Sequence, residues 1–168
     1  MSGEAHQAST PIESAEFRRV LGHYATGVTV VTSQDPDGGV FGLTANSVSS
    51  VSLDPPLVLV CVDRTADTYQ AIERSEAFAI SVLGEGGERL ARRFADDPTE
   101  TKFEGVAYRE EVTGAPVLRD ALAWIDCRLW AAYDGGDHTI FVGRVVATDA
   151  RDGAPLLYFR GGYGRLSP

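Results

Sequence analysis

GLTANSVSSVSLDPPLVLVCVD (42–63) sets a run of short hydroxyl and amide side chains against a Pro-Pro pair and then a continuous apolar run. LVLVCV (57–62) is apolar throughout, which predicts a strand covered on both faces. Nothing in the stretch is an obvious acid, base or nucleophile. The polar residues before the strand admit two readings. One is a turn-rich or edge segment whose side chains bond the backbone. The other is a cradle for a polar group that is not protein. Thr44, Asn46, Ser47, Ser49 and Ser50 offer neutral hydrogen bonds that suit a heterocycle edge, a sugar-like chain or a phosphate. The residues alone leave both readings open.

Strands dominate on either side. VTVVTS (28–33) is β-branched and is followed by DPDGG, a turn signal; VFGL (40–43) returns, which predicts a hairpin. FAISVL (78–83) resembles 57–62. WIDCRLWAAY (124–133) alternates, with Ile125, Cys127, Leu129 and Ala131 on one face and Trp124, Asp126, Arg128 and Trp130 on the other. GGDH (135–138) turns into TIFVGRVVATD (139–149), and PLLYFR (155–160) reads as a last strand. Helices are few. Thr10-Pro11-Ile12-Glu13 has the form of a capped start, with Glu13 closing a capping box. Phe17, Val20, Leu21 and Tyr24 then mark one apolar face, and Gly27 follows. DTYQAIERS (67–75) and GERLARRFAD (87–96) complete the set. Short strands with few helices predict a mainly β fold, a closed or nearly closed antiparallel barrel.

The chain has 168 residues, enough for one domain with a sizeable core. The first dozen residues lack a basic start and an apolar h-region, so residues 1–13 read as a tail and 14–168 as the domain. No apolar run approaches the roughly 20 residues of a membrane span. The net charge of -9 argues against a nucleic-acid partner, which needs a basic face. Cys61 and Cys127 sit in apolar runs and are expected as buried free thiols, in keeping with a cytoplasmic protein. No CxxC or HxxxH pair is present, so no metal site is expected.

The familiar catalytic signatures are missing: no GxSxG elbow, no Walker loop, no GxGxxG opening a helix. Asp96-Asp97 and Glu110-Glu111 read as solvated faces. His6 is in the tail, and His23 caps or packs near the first helix. His138 follows Gly135-Gly136-Asp137 at a strand mouth, where a side chain can point into a cleft; its plainer reading is a turn histidine bonded to Asp137. A small barrel with polar loops and no reaction machinery either binds something or lets a cofactor do the chemistry.

The order of motifs adds to this. FRRVLGHYATGVTVVTS (17–33), GLTANSVSSVSLDPPLVLVCVDRTADT (42–68), FAISVL (78–83), LARRFA (90–95), KFEG (102–105), GGDHTIFVGRV (135–145) and PLLYFRGGYG (155–164) follow one another over roughly 15–164. The chain resembles the flavin reductase-like family, the small reductase components of two-component flavin monooxygenases. The resemblance implies an FMN-binding type of split β-barrel with a few peripheral helices, built as a homodimer. It implies hydride transfer from NADH, or NADPH, to FAD or FMN, and release of reduced flavin by diffusion to a separate monooxygenase. No phosphate-recognising Arg cluster is evident, which favours NADH. A non-catalytic flavin or haem carrier on the same barrel is the alternative.

By the same resemblance, Thr44, Ala45, Asn46 and Ser47 contact the isoalloxazine edge and the ribityl chain, with Ser49 and Ser50 beside them. Cys61, Val62 and Asp63 line the flavin from the end of the apolar strand. Arg64 and Thr68 lie where the next helix begins and favours a phosphate. Lys102 and Phe103 close over the flavin tail, His138 faces and positions the nicotinamide, and Arg160 and Tyr163 rim the pocket. Asn46 stands where many relatives carry Ser, and Asp63 where Asn is common.

Overall fold

The computed structural model describes residues 11–167. The first helix is α1 (Ser14–Leu21). Then come β1 (Thr26–Gly27), β2 (Thr29–Gln34), β3 (Val40–Ala45), β4 (Val48–Leu53) and β5 (Pro56–Asp63). Helix α2 (Asp67–Ser75) leads to β6 (Ala77–Val82), and α3 (Glu88–Asp96) to the hairpin β7 (Tyr108–Glu110) and β8 (Pro116–Leu118). Two long strands, β9 (Ala123–Gly135) and β10 (His138–Ala150), and a small hairpin, β11 (Leu157–Phe159) and β12 (Gly162–Gly164), finish the chain.

The fold is mainly β. Seven strands form one antiparallel sheet in the order β3-β2-β6-β9-β10-β5-β4. Its two edge strands, β3 and β4, are joined only by Asn46 and Ser47. Six strand spacings laid flat would cover about 29 Å, whereas the link from Ala45 to Val48 reaches at most about 11 Å. The sheet therefore coils until its edges meet at that corner. No ladder joins β3 to β4, so the sheet stays open beyond it.

One core lies inside the coil, with Val31, Val60, Val62, Ile72, Phe78, Ile80, Cys127 and Phe141 nearly sealed from solvent. A second lies under α3, around Val28, Val30, Leu83, Phe94 and Leu118. Strand β2 feeds both, which is why its run is β-branched without a polar face. Strand β5 departs from the expectation of two covered faces. Val58, Val60 and Val62 are buried, but Leu57, Leu59 and Cys61 are only half covered within this chain. Gly42 is required by a close approach: a Cβ there would lie 2.6 Å from Cε1 of Phe94.

Other readings are corrected. Helix α1 starts at Ser14 with Glu13 as an extended N-cap that makes no side-chain cap bond, and it stops at Leu21, so Tyr24 lies beyond it. The Thr10 cap lies outside the described residues. The apolar face is not packed: Phe17, Val20, Leu21 and Tyr24 are all more than half exposed. On β9, the chain itself covers only the Trp124–Asp126 part of the second face, and Arg128 and Trp130 are exposed. Asp126 is fully buried and accepts from the Thr113 amide at 2.9 Å and from the Thr113 hydroxyl. Trp124 packs on Ala79, Ala115 and Val117, with the Arg109 guanidinium 5.1 Å from its ring centre. The register between β9 and β10 shifts at Val142/Gly143, which leaves Trp130 unpaired and exposed.

Candidate functional site

The corner at Asn46 and Ser47 opens on a cavity of about 220 Å³ between the end of β3, the end of α3 and the β11–β12 hairpin. Val28, Ala45 and Ala95 give it apolar walls; Thr44, Asn46, Tyr158 and Tyr163 give it polar edges. The two tyrosines are cross-strand partners with ring centres 5.3 Å apart. The Arg92 guanidinium stands 5.0 Å from the Tyr163 ring centre. Asn46 is exposed and makes no side-chain hydrogen bond among the described residues. Thr26 lies across the β1–β11 ladder from Tyr158. Its hydroxyl is the one buried side-chain polar atom without a partner among the described residues, a state that costs about 1–3 kcal/mol unless something fills it.

Two hydroxyls of the polar stretch are already committed. Thr44 donates to the Ala91 carbonyl at 2.6 Å, tying β3 to α3. Ser47 donates to the Cys61 carbonyl at 2.9 Å, and its oxygen accepts from the Cys61 amide at 3.3 Å. These are backbone bonds of the kind the plainer reading of 44–50 describes. Ser49 and Ser50 lie on edge strand β4, both exposed, with the Ser49 hydroxyl on the Ser50 carbonyl at 3.2 Å.

The end of β5 follows directly. Ser47 is held to Cys61, and Asp63, two residues on, pairs in register with His138 of β10. Val62 points into the core and is fully buried, so only its backbone faces outward. Bonds from the Thr65 amide and hydroxyl hold the Asp63 carboxyl below its ordinary range. His138 Nδ1 is 2.7 Å from Asp137 Oδ1, the bond the plainer reading predicts; its other ring nitrogen has no partner among the described residues. Arg64 donates to the Thr139 hydroxyl at 3.2 Å and pairs with Asp134. The carboxylates here are already engaged, Asp134 with Arg64, Asp137 with His138 and Asp63 with Thr65. Burial pushes the Cys61 thiol up and the Cys127 thiol up to about 12, so neither is a ready thiolate.

The remaining residues sit apart. Thr68, at 3 % exposure, is buried in the first turn of α2. Lys102 donates from Nζ to the carbonyls of Phe94 at 2.9 Å and Gly42 at 3.3 Å, and burial holds its pKa down. Phe103 is packed edge-on against Phe94 and Tyr108, at ring-centre distances of 5.0 and 5.6 Å. Arg160 occupies the tip of the β11–β12 hairpin with φ 51°, exposed, its amide on the Gly22 carbonyl at 2.8 Å. The structure thus brings Thr44, Ala45, Asn46 and Tyr163 to one cavity. It sets Ser47, Cys61, Asp63, Arg64 and His138 along the adjoining strand end. Val28, Ala95, Arg92 and Tyr158 were missed. Only Tyr158 had a local signal: it pairs with Tyr163 across the two-residue turn Arg160-Gly161.

Residues 21–167 match the model of the flavin reductase like domain. The chain belongs to the flavin reductase-like family. It is 41% identical to the reductase subunit HsaB of a flavin-dependent monooxygenase from Rhodococcus jostii, over 100% of this chain and 86% of that protein. It is 42% identical to the FMN reductase (NADH) SmoA of Agrobacterium fabrum, over 92% of this chain and 87% of that one. Its fold matches the solved NADH:FAD oxidoreductase SgcE6 of Streptomyces globisporus, in complex with NAD and FAD fragments. There the TM-score is 0.86 at 40% identity, covering 92% of this chain and 93% of that chain.

Proposed function

We propose that this member of the flavin reductase-like family is an NADH-dependent flavin reductase that passes reduced FAD or FMN to a partner monooxygenase. The observation that carries the reading is the cavity at the Asn46–Ser47 corner. Its apolar walls suit a flat ring. The free Asn46 amide and the two tyrosines suit that ring's polar edge. When bound, the two rings supply the chemistry, a hydride passing from nicotinamide C4 to flavin N5. The chain's residues bind and orient. Thr44 and Ser47 fix the corner through backbone bonds, and Cys61 and Asp63 carry the wall towards His138. Arg64 and the one unused Lys102 ammonium hydrogen serve the phosphate end, with Phe103 as a rigid wall behind it and Thr68 buried in the first turn of α2. Arg160 and Tyr163 form the rim.

NADH is favoured over NADPH because two of the similar proteins, SmoA and SgcE6, are named for NADH. The coiled sheet, open between β3 and β4, supports the split-barrel reading, and residues 14–168 act as one domain. The bare α1 face, Trp130, Tyr133 and the half-covered outer side of β5 support a homodimer, because monomers seldom leave such apolar area open. Cys61 and Cys127, both free, fit a cytoplasmic setting.

Purified protein with NADH should oxidise it rapidly only when FAD or FMN is added, and light scattering should return twice the 18.0 kDa chain mass. NADH oxidation no faster than with free flavin would leave a carrier, and a monomer at micromolar concentration would remove the dimer. His138→Ala should raise the KM for NADH about tenfold with flavin affinity nearly unchanged, since a misplaced donor ring costs rate through geometry. Stopped-flow flavin reduction against NADH concentration reads this. Unchanged kinetics would return His138 to a turn residue held by Asp137.

A further inference from the structure

A second and larger cavity, about 400 Å³, lies on the other side of α3. Leu90 and Arg93 face it, whereas Ala95 faces the smaller cavity at the Asn46 corner. Its lining gathers Arg89, Arg93 and Arg151 against a single carboxylate, Asp120, in a chain whose net charge is -9. The arginine charges are poorly compensated. Arg151 donates only to carbonyls, those of Ala121 at 3.0 Å and Asp120 at 2.6 Å. Arg93 donates to the Glu104 carbonyl at 2.6 Å and reaches Asp97 only at 3.7 Å. Arg89 has no side-chain hydrogen bond or ion pair among the described residues. Three arginines lining one open cavity suit a phosphate, which guanidinium groups grip with paired N–H donors. Leu83, Leu90 and Val106 add an apolar wall of the kind a purine ring can lie on. The smaller cavity, at about 220 Å³, falls short of what a whole dinucleotide needs. One helix, about 10 Å across, stands between the two.

We propose that the arginine cavity binds the adenosine monophosphate half that FAD and NADH share, an assignment that rests on the flavin reductase reading. Titration calorimetry with AMP, inorganic phosphate and FMN, on wild type and Arg89→Glu, tests it. Arg89 holds nothing else in place, so this variant should keep its melting temperature. Arg151→Ala, whose lost carbonyl bonds loosen the 120–121 loop, serves as the second variant. AMP should bind wild type and weaken about tenfold or more in Arg89→Glu. FMN should bind both alike. Comparing FAD with FMN, and NADH with reduced nicotinamide mononucleotide, shows which dinucleotide supplies the group: the dinucleotide weakens and its shorter counterpart does not. The proposal is overturned if AMP does not bind, if both arginine variants bind it as wild type does, or if inorganic phosphate binds as tightly as AMP. It is equally overturned if FMN weakens as much as FAD. NADH oxidation by wild type with FMN decides the reductase reading separately, since FMN carries no adenosine.

Discussion

Gly143→Val is expected to leave little folded protein. Gly143 lies mid-strand in β10, hydrogen-bonded into ladders with both β5 and β9. A Cβ at this position would sit 2.5 Å from Cζ of Phe78 and 2.7 Å from Cβ of Cys127. Both neighbours are fully buried, so neither has solvent to retreat into. Forcing one extra group into a tight core costs about 1–3 kcal/mol, and a branched side chain at two such contacts lies at or beyond the top of that range. Against a total stability of about 5–15 kcal/mol, the expected readout is a melting temperature lowered by roughly 10 °C or more, or insoluble expression. Gly143→Ala should show a smaller drop of the same sign. A Gly143→Val protein that melts like wild type would mean that Phe78 has room the packing does not show.

Gly143 also marks where sequence reading stops. TIFVGRVVATD was legible as a strand because its apolar run is long, and 57–62 and 78–83 were legible for the same local reason. The helix over 67–75 matches α2 residue for residue. What was not legible depends on distant partners. Nothing local says that Phe78 lies over residue 143. The hairpin β7–β8 has three-residue strands, too short to alternate, yet it buries Asp126 and partly covers Trp124. Strand β4 hides in SVSSVS because an edge strand with one wet face needs few apolar residues. The exposed apolar face of α1 obeys helical spacing as a packed face would, so the pattern alone cannot tell which surface covers it.

The site divides in the same way. The stretch 44–50 was legible as polar and concentrated, but the destination of each hydroxyl was not. Ser47 and Thr44 spend theirs on the backbone of β5 and α3, and Asn46, between them, is left free. The three arginines of the larger cavity come from positions 89, 93 and 151. Only the first two are neighbours in sequence, so the cluster exists in the fold and not in the chain order.

Asn46→Trp should abolish NADH oxidation with either flavin while leaving the fold intact. Asn46 is exposed, lies between β3 and β4 rather than in a ladder, and makes no side-chain hydrogen bond among the described residues, so little stability depends on it. An indole placed there would occupy much of the 220 Å³ cavity that Thr44, Ala45 and Tyr163 share with it. Excluding the ring removes the orientation on which the reaction depends, and orientation is worth many orders of magnitude in rate. A fall of about a hundredfold or more in turnover is expected, with a melting temperature within a few degrees of wild type. Ser47→Ala supplies the opposite control. It opens no space for obstruction but removes the clamp on Cys61, whose loss should cost roughly 0.5–1.5 kcal/mol per bond and lower the melting temperature instead. Full activity in Asn46→Trp would mean that the reacting rings meet elsewhere. If Ser47→Ala lost flavin affinity and kept its stability, Ser47 would be a ligand contact and not the clamp that its bonds to Cys61 describe.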